Sequence, residues 1–304
     1  MAPSADNEVA LEFRFFRVFK DGRVELLQED DEKIPPSDNP ATGVRSKDVI
    51  ISKEPPISAR IFLPKLKQGS KFPLLFYVHG GGFCMRSAFT ERYHKFCSSV
   101  AAGADFIVVS IEYGLFPSRP LPACYEDSWA GLQWMASHVD GNGAEAWLND
   151  HADFSKVFIA GNSAGGNICH TLAALLGSVG GLASGRVKVE GMVMVHPFFG
   201  GVDKDDMWLY MCPGNIGGSE DPRLKPAMED LARLGCQKVL IFVGGEDYLK
   251  ACGTNYYERL KESGWKGSVQ LIDQPKVGHS FHIKDPSSEK AAELMENFVS
   301  FLKN

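Results

Sequence analysis

The stretch Val157-Phe158-Ile159-Ala160-Gly161-Asn162-Ser163-Ala164-Gly165 reads as a strand that stops abruptly and becomes a helix. Four apolar residues lead into G-x-S-x-G, the pattern in which a serine sits on a sharp, strained turn with its hydroxyl exposed. Gly161 and Gly165 leave room for strand and helix to approach each other. The helix starting near Ala164 aims unpaired N–H groups at the turn, and its dipole favours negative charge there. Upstream, Leu74-Leu75-Phe76-Tyr77-Val78 runs into His79-Gly80-Gly81-Gly82-Phe83. With 31 glycines in the chain a lone G-x-S-x-G is weak, but a histidine followed by three glycines is much rarer. Gly81 and Gly82 can present N–H groups with no side chain in the way. With Ala164 they can bind the oxyanion of a tetrahedral intermediate. The bland alternative is a pair of glycine-rich turns without chemistry.

A serine nucleophile needs a base and an acid that orients it, in the chain order Ser, Asp or Glu, then His. His170, His196, His279 and His282 follow Ser163. His279 lies in a loop between the strand-like Val269-Gln270-Leu271-Ile272 and a C-terminal helix, from which it could reach Ser163. His282 competes with it; His170 belongs to the helix after Ser163, and His196, ending Met192-Val193-Met194-Val195, comes too early. For the acid, Asp247 follows the buried strand Val239-Leu240-Ile241-Phe242-Val243, with Glu246 as the adjacent rival. Asp247 can also be read as a helix N-cap, a role compatible with holding the His279 tautomer. A buried acid partner is expected to raise the histidine pKa, so activity should rise from about pH 5.5 to 8.

The 304 residues are 44% hydrophobic and 23% charged, with a net charge of −6, the balance of an ordinary globular protein. There is no basic stripe for nucleic acid and no polybasic patch or long apolar run for a membrane. The start lacks the basic and apolar regions of a signal peptide. Seven scattered cysteines without C-x-x-C predict reduced thiols, no disulfide framework and a cytoplasmic setting. Eight histidines without H-E-x-x-H spacing predict no catalytic metal, and no cofactor is indicated. A monomer or homodimer acting on a small molecule is expected.

Strand-like segments near 57–63, 73–78, 106–112, 156–160, 191–196, 238–243 and 268–272 alternate with helix-like ones near 89–102, 125–138, 164–177, 226–234, 251–263 and 288–302. This predicts an α/β fold over 1–304, a single domain with a mostly parallel central sheet covered by helices on both faces. Two regions differ. Residues 1–45 carry aromatic Phe13, Phe15, Phe16 and Phe19, an Asp21-Gly22 hairpin turn and the acidic run Glu29–Glu32, read as solvated surface. The aromatics are too many for a free tail, and predict a cap element over the pocket. Residues 198–222 break the alternation, and there Phe199, Trp208 and Met211 could wall a substrate pocket or merely pack a connector. Phe83, Met85 and Phe116 are further wall candidates. The expected acyl preference is short, about two to six carbons.

The chain resembles the plant carboxylesterases of the hormone-sensitive-lipase-like group of α/β-hydrolases over nearly its whole length. The resemblance rests on Phe19–Val24, Ser58–Pro64, His79–Phe83, Trp147–Phe154, Gly161–Asn167, His196–Phe199, Leu234–Cys236, Ser263–Gly267 and His279–His282. It implies Ser163 as nucleophile, Asp247 as acid, His279 as base, Gly81, Gly82 and Ala164 as oxyanion donors, and a cap from about 1–45 and 198–222. Three departures stand out. Asn162 replaces the usual aspartate before the nucleophile. Tyr113-Gly114-Leu115-Phe116-Pro117-Ser118-Arg119 replaces Tyr-Arg-Leu-Ala-Pro-Glu-His, which implies loss of a structural ion pair. The insertion after His196 is about one helix short.

Ester hydrolysis through an acyl-enzyme, on small apolar or plant specialised-metabolite esters, is the expected activity. The same scaffold also carries dehydratases and alkaloid cyclases, and binding proteins resembling gibberellin receptors. A receptor is expected to have lost the histidine, which is present here as His279, and the dehydratases often carry threonine where this chain has Ser163.

Overall fold

The computed structural model describes residues 8–28, 31–66, 69–201 and 205–304. Among the described residues the strands are β1 Val9–Glu12, β2 Phe16–Phe19, β3 Val24–Leu26, β4 Arg45–Lys53, β5 Pro56–Leu63, β6 Phe72–Val78, β7 Ile107–Glu112, β8 Ala152–Asn162, β9 Val189–Val195, β10 Lys238–Gly244 and β11 Ser268–Gln274. The helices are α1 Glu91–Ala104, α2 Ala123–Ala136, α3 Ala146–His151, α4 Ala164–Val179, α5 Asp206–Met211, α6 Met228–Ala232, α7 Lys250–Glu262, α8 Phe281–Lys284 and α9 Glu289–Lys303.

Eight strands form the central sheet in the order β11-β10-β9-β8-β6-β7-β5-β4. All neighbours from β11 to β7 are parallel, while β5 and β4 close the far edge antiparallel. Alternate side chains of a strand point to opposite faces. Leu74, Phe76 and Val78 of β6 accordingly pack into one core with α2, α4 and α7, and Leu75 and Tyr77 into another with α1 and α9. A sheet buried on both faces explains why its strands are continuous apolar runs. Strand β4 escaped that pattern because it alternates charged and apolar residues at an exposed edge, with Ile50 69% exposed.

The N-terminal segment forms its own antiparallel sheet, β1-β2-β3, with β2 and β3 joined across Asp21-Gly22. Phe16 is its anchor: fully buried, with its ring 5.0 Å from Phe116 and 5.9 Å from Tyr210 of α5. The hydrophobic gain of roughly 1.5–3 kcal/mol for such a ring offsets the ordering of the short strands. The acidic run is not all solvated surface. Asp31 lies 3.3 Å from Arg86 and 3.4 Å from Arg92, while Glu29 and Asp30 lie outside the described residues.

The altered 113–119 segment makes an ion pair of a different kind, to a buried carboxylate outside it. Arg119 reaches the Asp127 carboxylate through both terminal nitrogens, one at 2.9 Å, and the Gly114 amide donates to the same carboxylate at 2.8 Å. A Cβ on Gly114 would come within 2.8 Å of the Arg119 side chain. Arginine therefore reaches Asp127 from position 119, filling the space that a side chain at 114 would need. Among the described residues no helix is long and apolar enough to cross a membrane.

Candidate active site

Parallel strands end on one edge of the sheet, and the loops leaving β6, β8, β9 and β10 converge there. Ser163 leaves β8 with φ 54° and ψ −121°, strained for a residue bearing a Cβ. The turn is held from several sides. The Ser163 amide donates to Val195 at 2.9 Å, and its carbonyl accepts from Gly166 and Phe198. A Cβ on Gly165 would lie 2.1 Å from the Val78 carbonyl oxygen, so only glycine lets α4 come this close to β6.

Ser163, His279 and Asp247 lie in one hydrogen-bonded line. Ser163 Oγ is 2.9 Å from His279 Nε2, and His279 Nδ1 is 2.9 and 3.0 Å from the two Asp247 oxygens. The line can pass a proton from the serine to the imidazole while the carboxylate holds the tautomer. Burial works to raise the Asp247 carboxyl. Hydrogen bonds from His196, His279 and the Leu249 amide outweigh it and hold the group well below the usual carboxylate range. Asp247 is not the helix N-cap read from the sequence: α7 is capped by Leu249, and the Asp247 carboxylate accepts from the amide of that capping residue.

His279 departs from expectation. Burial pushes its pKa below 6.5, and His196 and Lys284 add to this, while Asp247 opposes it without winning. His279 is therefore neutral, ready to accept a proton, at a lower pH than an exposed histidine.

The rival residues fall elsewhere. His282 is buried, packs edge-on to Phe96 at 5.4 Å, and neither ring nitrogen has a hydrogen-bond partner among the described residues. His170 is buried in α4 with Nδ1 3.0 Å from the Tyr256 hydroxyl, its pKa pushed down to about 3 by burial and Arg259. His196, set aside for its early position, does join the site. Its Nδ1 lies 3.1 Å from Asp247 and 3.0 Å from the Ser280 amide. One nitrogen can donate to the first or accept from the second, and the Asp247 charge favours donation. No sequence signal marked this contact, because a strand-end histidine meets Asp247 only through the parallel pairing of β9 with β10.

Asn162 ties three loops together. Its Oδ1 accepts from the Gly80 amide at 2.9 Å and the Tyr77 hydroxyl at 3.2 Å, and its Nδ2 donates to Ser280 Oγ at 3.3 Å. The amide thus supplies both an acceptor and a donor to the glycine loop and the histidine loop. Gly81 and Gly82 line the cavity beside Ser163, Ala164 lines the neighbouring one, and no hydrogen bond from their N–H groups is found among the described residues.

Two cavities meet at Ser163. One, of about 590 Å³, is lined by Leu11, Phe13, Phe83, Phe198, Phe199, Met207, Trp208 and Leu249, with Glu12, Asp205 and Asp206. The other, of about 360 Å³, is lined by Met85, His279 and Ser280 with Gln28, Asp31, Arg86, Arg92 and Lys284. Arg14, Phe15, Gly82, Ser163 and Tyr248 border both. Phe15 forms the partition over the glycine loop, since a Cβ on Gly82 would come within 2.5 Å of its ring. The Arg14 guanidinium lies 3.6 Å above Tyr248, whose ring is 4.9 Å from that of His279.

Of the wall candidates, Phe83, Phe199 and Trp208 border the larger cavity and Met85 the smaller. Phe116 and Met211 border neither. Phe116 is packed under Phe16 and Tyr210, and the buried Met211 accepts the Leu121 amide through its carbonyl at 2.9 Å. Phe116 seats the N-terminal sheet and Met211 ties α5 to the loop before α2, roles to which an apolar residue read in isolation gives no clue.

Comparison with known proteins agrees with this architecture. A family model described as alpha/beta hydrolase fold matches residues 75–283. Probable carboxylesterase 1 of Arabidopsis thaliana is 41% identical, covering 98% of each chain. A 2-hydroxyisoflavanone dehydratase of Glycyrrhiza echinata is 40% identical over 94% of this chain and 93% of that protein. Among solved structures, a hyperthermophilic esterase from the archaeon Pyrobaculum calidifontis superposes with a TM-score of 0.70 at 25% identity, over 85% of this chain and 83% of that one. The chain belongs to the plant, hormone-sensitive-lipase-like carboxylesterase group of the α/β-hydrolases, and it is an enzyme.

Proposed function

We propose that this enzyme hydrolyses carboxylic esters of metabolite size through a covalent acyl-enzyme on Ser163. The observation that carries this reading is the unbroken line Ser163 Oγ–His279 Nε2 and His279 Nδ1–Asp247. His279 takes the serine proton as Oγ attacks the ester carbonyl, and the N–H groups of Gly81, Gly82 and Ala164 receive the oxyanion. His279 returns the proton to the leaving alcohol, then activates the water that frees Ser163. The alcohol must leave within reach of His279 Nε2. That assigns it to the smaller cavity, which His279 lines, and the acyl group to the larger. A volume of about 590 Å³ suits a drug-sized group, so aromatic acyl groups fit beside the short chains expected from sequence.

The chemistry needs no metal. His196, Asp247 and His279 bring ligand-type atoms within 4.8 Å of one another, but both imidazole Nδ1 atoms face the carboxylate at hydrogen-bond distance. A metal would require all three to turn toward one centre about 2.0–2.2 Å away. All seven cysteines are buried thiols, which fits a reducing compartment such as the cytoplasm.

A repurposed elimination or cyclisation is the second reading, favoured by the relatives named 2-hydroxyisoflavanone dehydratase. Pre-steady-state hydrolysis of p-nitrophenyl acetate separates the two. A burst of nitrophenol stoichiometric with enzyme, followed by turnover, is the expected result. No burst and no turnover would remove the acyl-enzyme reading and leave the elimination.

A further inference from the structure

Charge is distributed unevenly across Ser163. The larger cavity carries Glu12, Asp205 and Asp206 on its border. The smaller one carries Arg86, Arg92 and Lys284, opposed by Asp31, and Arg14 stands on the border between the two. Arg92 shares Asp31 with Arg86, at 3.4 and 3.3 Å. Arg14 and Lys284 make no ion pair among the described residues. The Arg14 guanidinium carbon instead lies 3.6 Å from the centre of the Tyr248 ring, which holds the charge at the cavity border. Lys284, from α8 just after the histidine loop, is near enough for its charge to act on His279.

A guanidinium and an ammonium that pair with no carboxylate among the described residues, bordering the leaving-group side of the proposed hydrolase site, can receive an anion. Resting on the hydrolase reading above, we propose that the smaller cavity is a subsite for a carboxylate carried on the alcohol half of the substrate, with Arg14 and Lys284 as its specificity-determining contacts. The substrate class is then an ester of a hydroxycarboxylic acid. The acyl half lies among the rings of the larger cavity, and the acid's own carboxylate is drawn to the cationic side. The acidic border of the larger cavity enforces the same orientation, because a carboxylate placed there meets like charge. Phe15 separates the two halves and comes from the same short segment as Arg14. The N-terminal strand segment thus supplies both the partition and the anion contact.

The test is a matched pair of esters, 3-acetoxybenzoate and 3-acetoxybenzamide, alike in shape and in the bond cleaved but differing in charge. In the wild-type enzyme at low ionic strength, kcat/KM for the carboxylate should exceed that for the amide by about five- to tenfold, mainly through KM. Raising the salt to about 0.5 M should shrink the ratio, because the charges are partly exposed to solvent. In Arg14→Gln/Lys284→Gln the ratio should fall to about one. The ratio is read within each variant, so a general loss of activity does not mimic the effect. Circular dichroism confirms that each variant is folded. A wild-type ratio at or below one, or a ratio unchanged in the double variant, overturns the subsite while leaving the hydrolase intact. Hydrolysis of neither ester overturns the hydrolase reading itself, and the subsite with it.

Discussion

Ser163, Asp247 and His279 sit at or just beyond the exits of parallel strands, whereas the side chains facing them come from β1, the turn before β2, and α5. The first region is rigid for a simple reason. Strands β8, β9 and β10 are paired on both sides and buried on both faces, so each loop leaves from a fixed point. The second is held by a few rings: Phe13 on Phe16 at 4.9 Å, Phe16 on Phe116, and Tyr210 across all three. Strand β1 is exposed along its whole length. The contrast teaches that chemistry and selectivity are supported separately. Changes to the sheet side should act on kcat or stability, and changes to the roof on KM.

The largest effect is expected on the sheet side. Ser163→Ala should leave the fold intact and lower kcat on p-nitrophenyl acetate by about 10⁴-fold or more. Retention of most of the wild-type rate would break the division at its base.

Next comes the scaffold alone. Arg119→Ala strands the Asp127 carboxylate, which is 1% exposed, and should cost about 2–4 kcal/mol of unfolding free energy. A denaturant titration measures it. Adding Gly114→Arg to Arg119→Ala should recover part of the loss, because the space at 114 is then open. A single Arg119→Ala as stable as wild type would mean that the ion pair contributes nothing.

The roof should respond more gently. Phe15→Ala joins the two cavities and loosens the wall over Gly82. KM for a bulky aromatic ester should rise several-fold while kcat on a small acetate changes less. Equal effects on both substrates would show that Phe15 supports the glycine loop rather than the pocket.

The smallest effect concerns pH. Because burial lowers the His279 pKa below 6.5, the base stays neutral as pH falls through the ordinary histidine value. The acid limb of kcat/KM should therefore lie below pH 6.5, with a plateau from about pH 7 to 8. A limb centred above 7 would mean that Asp247 outweighs burial. EDTA should leave the whole profile unchanged.

The order Ser163, Asp247, His279 was legible because each residue follows a strand long enough to announce itself, and the G-x-S-x-G and H-G-G-G patterns carry their own geometry. The alternating elements were legible for the same reason: a doubly covered parallel sheet demands continuous apolar runs. The edge strand β4 was missed because one face meets water. The charge line at Asp31 and the ion pair at Arg119 were missed because their partners lie far away in sequence or act through space vacated by Gly114. Phe116 and Phe15 make the point most sharply. Both are single phenylalanines in irregular segments, and composition cannot tell that the first seats the N-terminal sheet while the second borders both cavities at Ser163.

Local pattern therefore accounts for the fold class and for the residues proposed to react, since strand periodicity and turn strain are short-range consequences of backbone chemistry. The second contact of His196 to Asp247, the lowered pKa of His279, and the split of the cavity into an aromatic half and a cationic half arise only when distant loops are packed together. Burial and through-space charge have no counterpart in one-dimensional spacing.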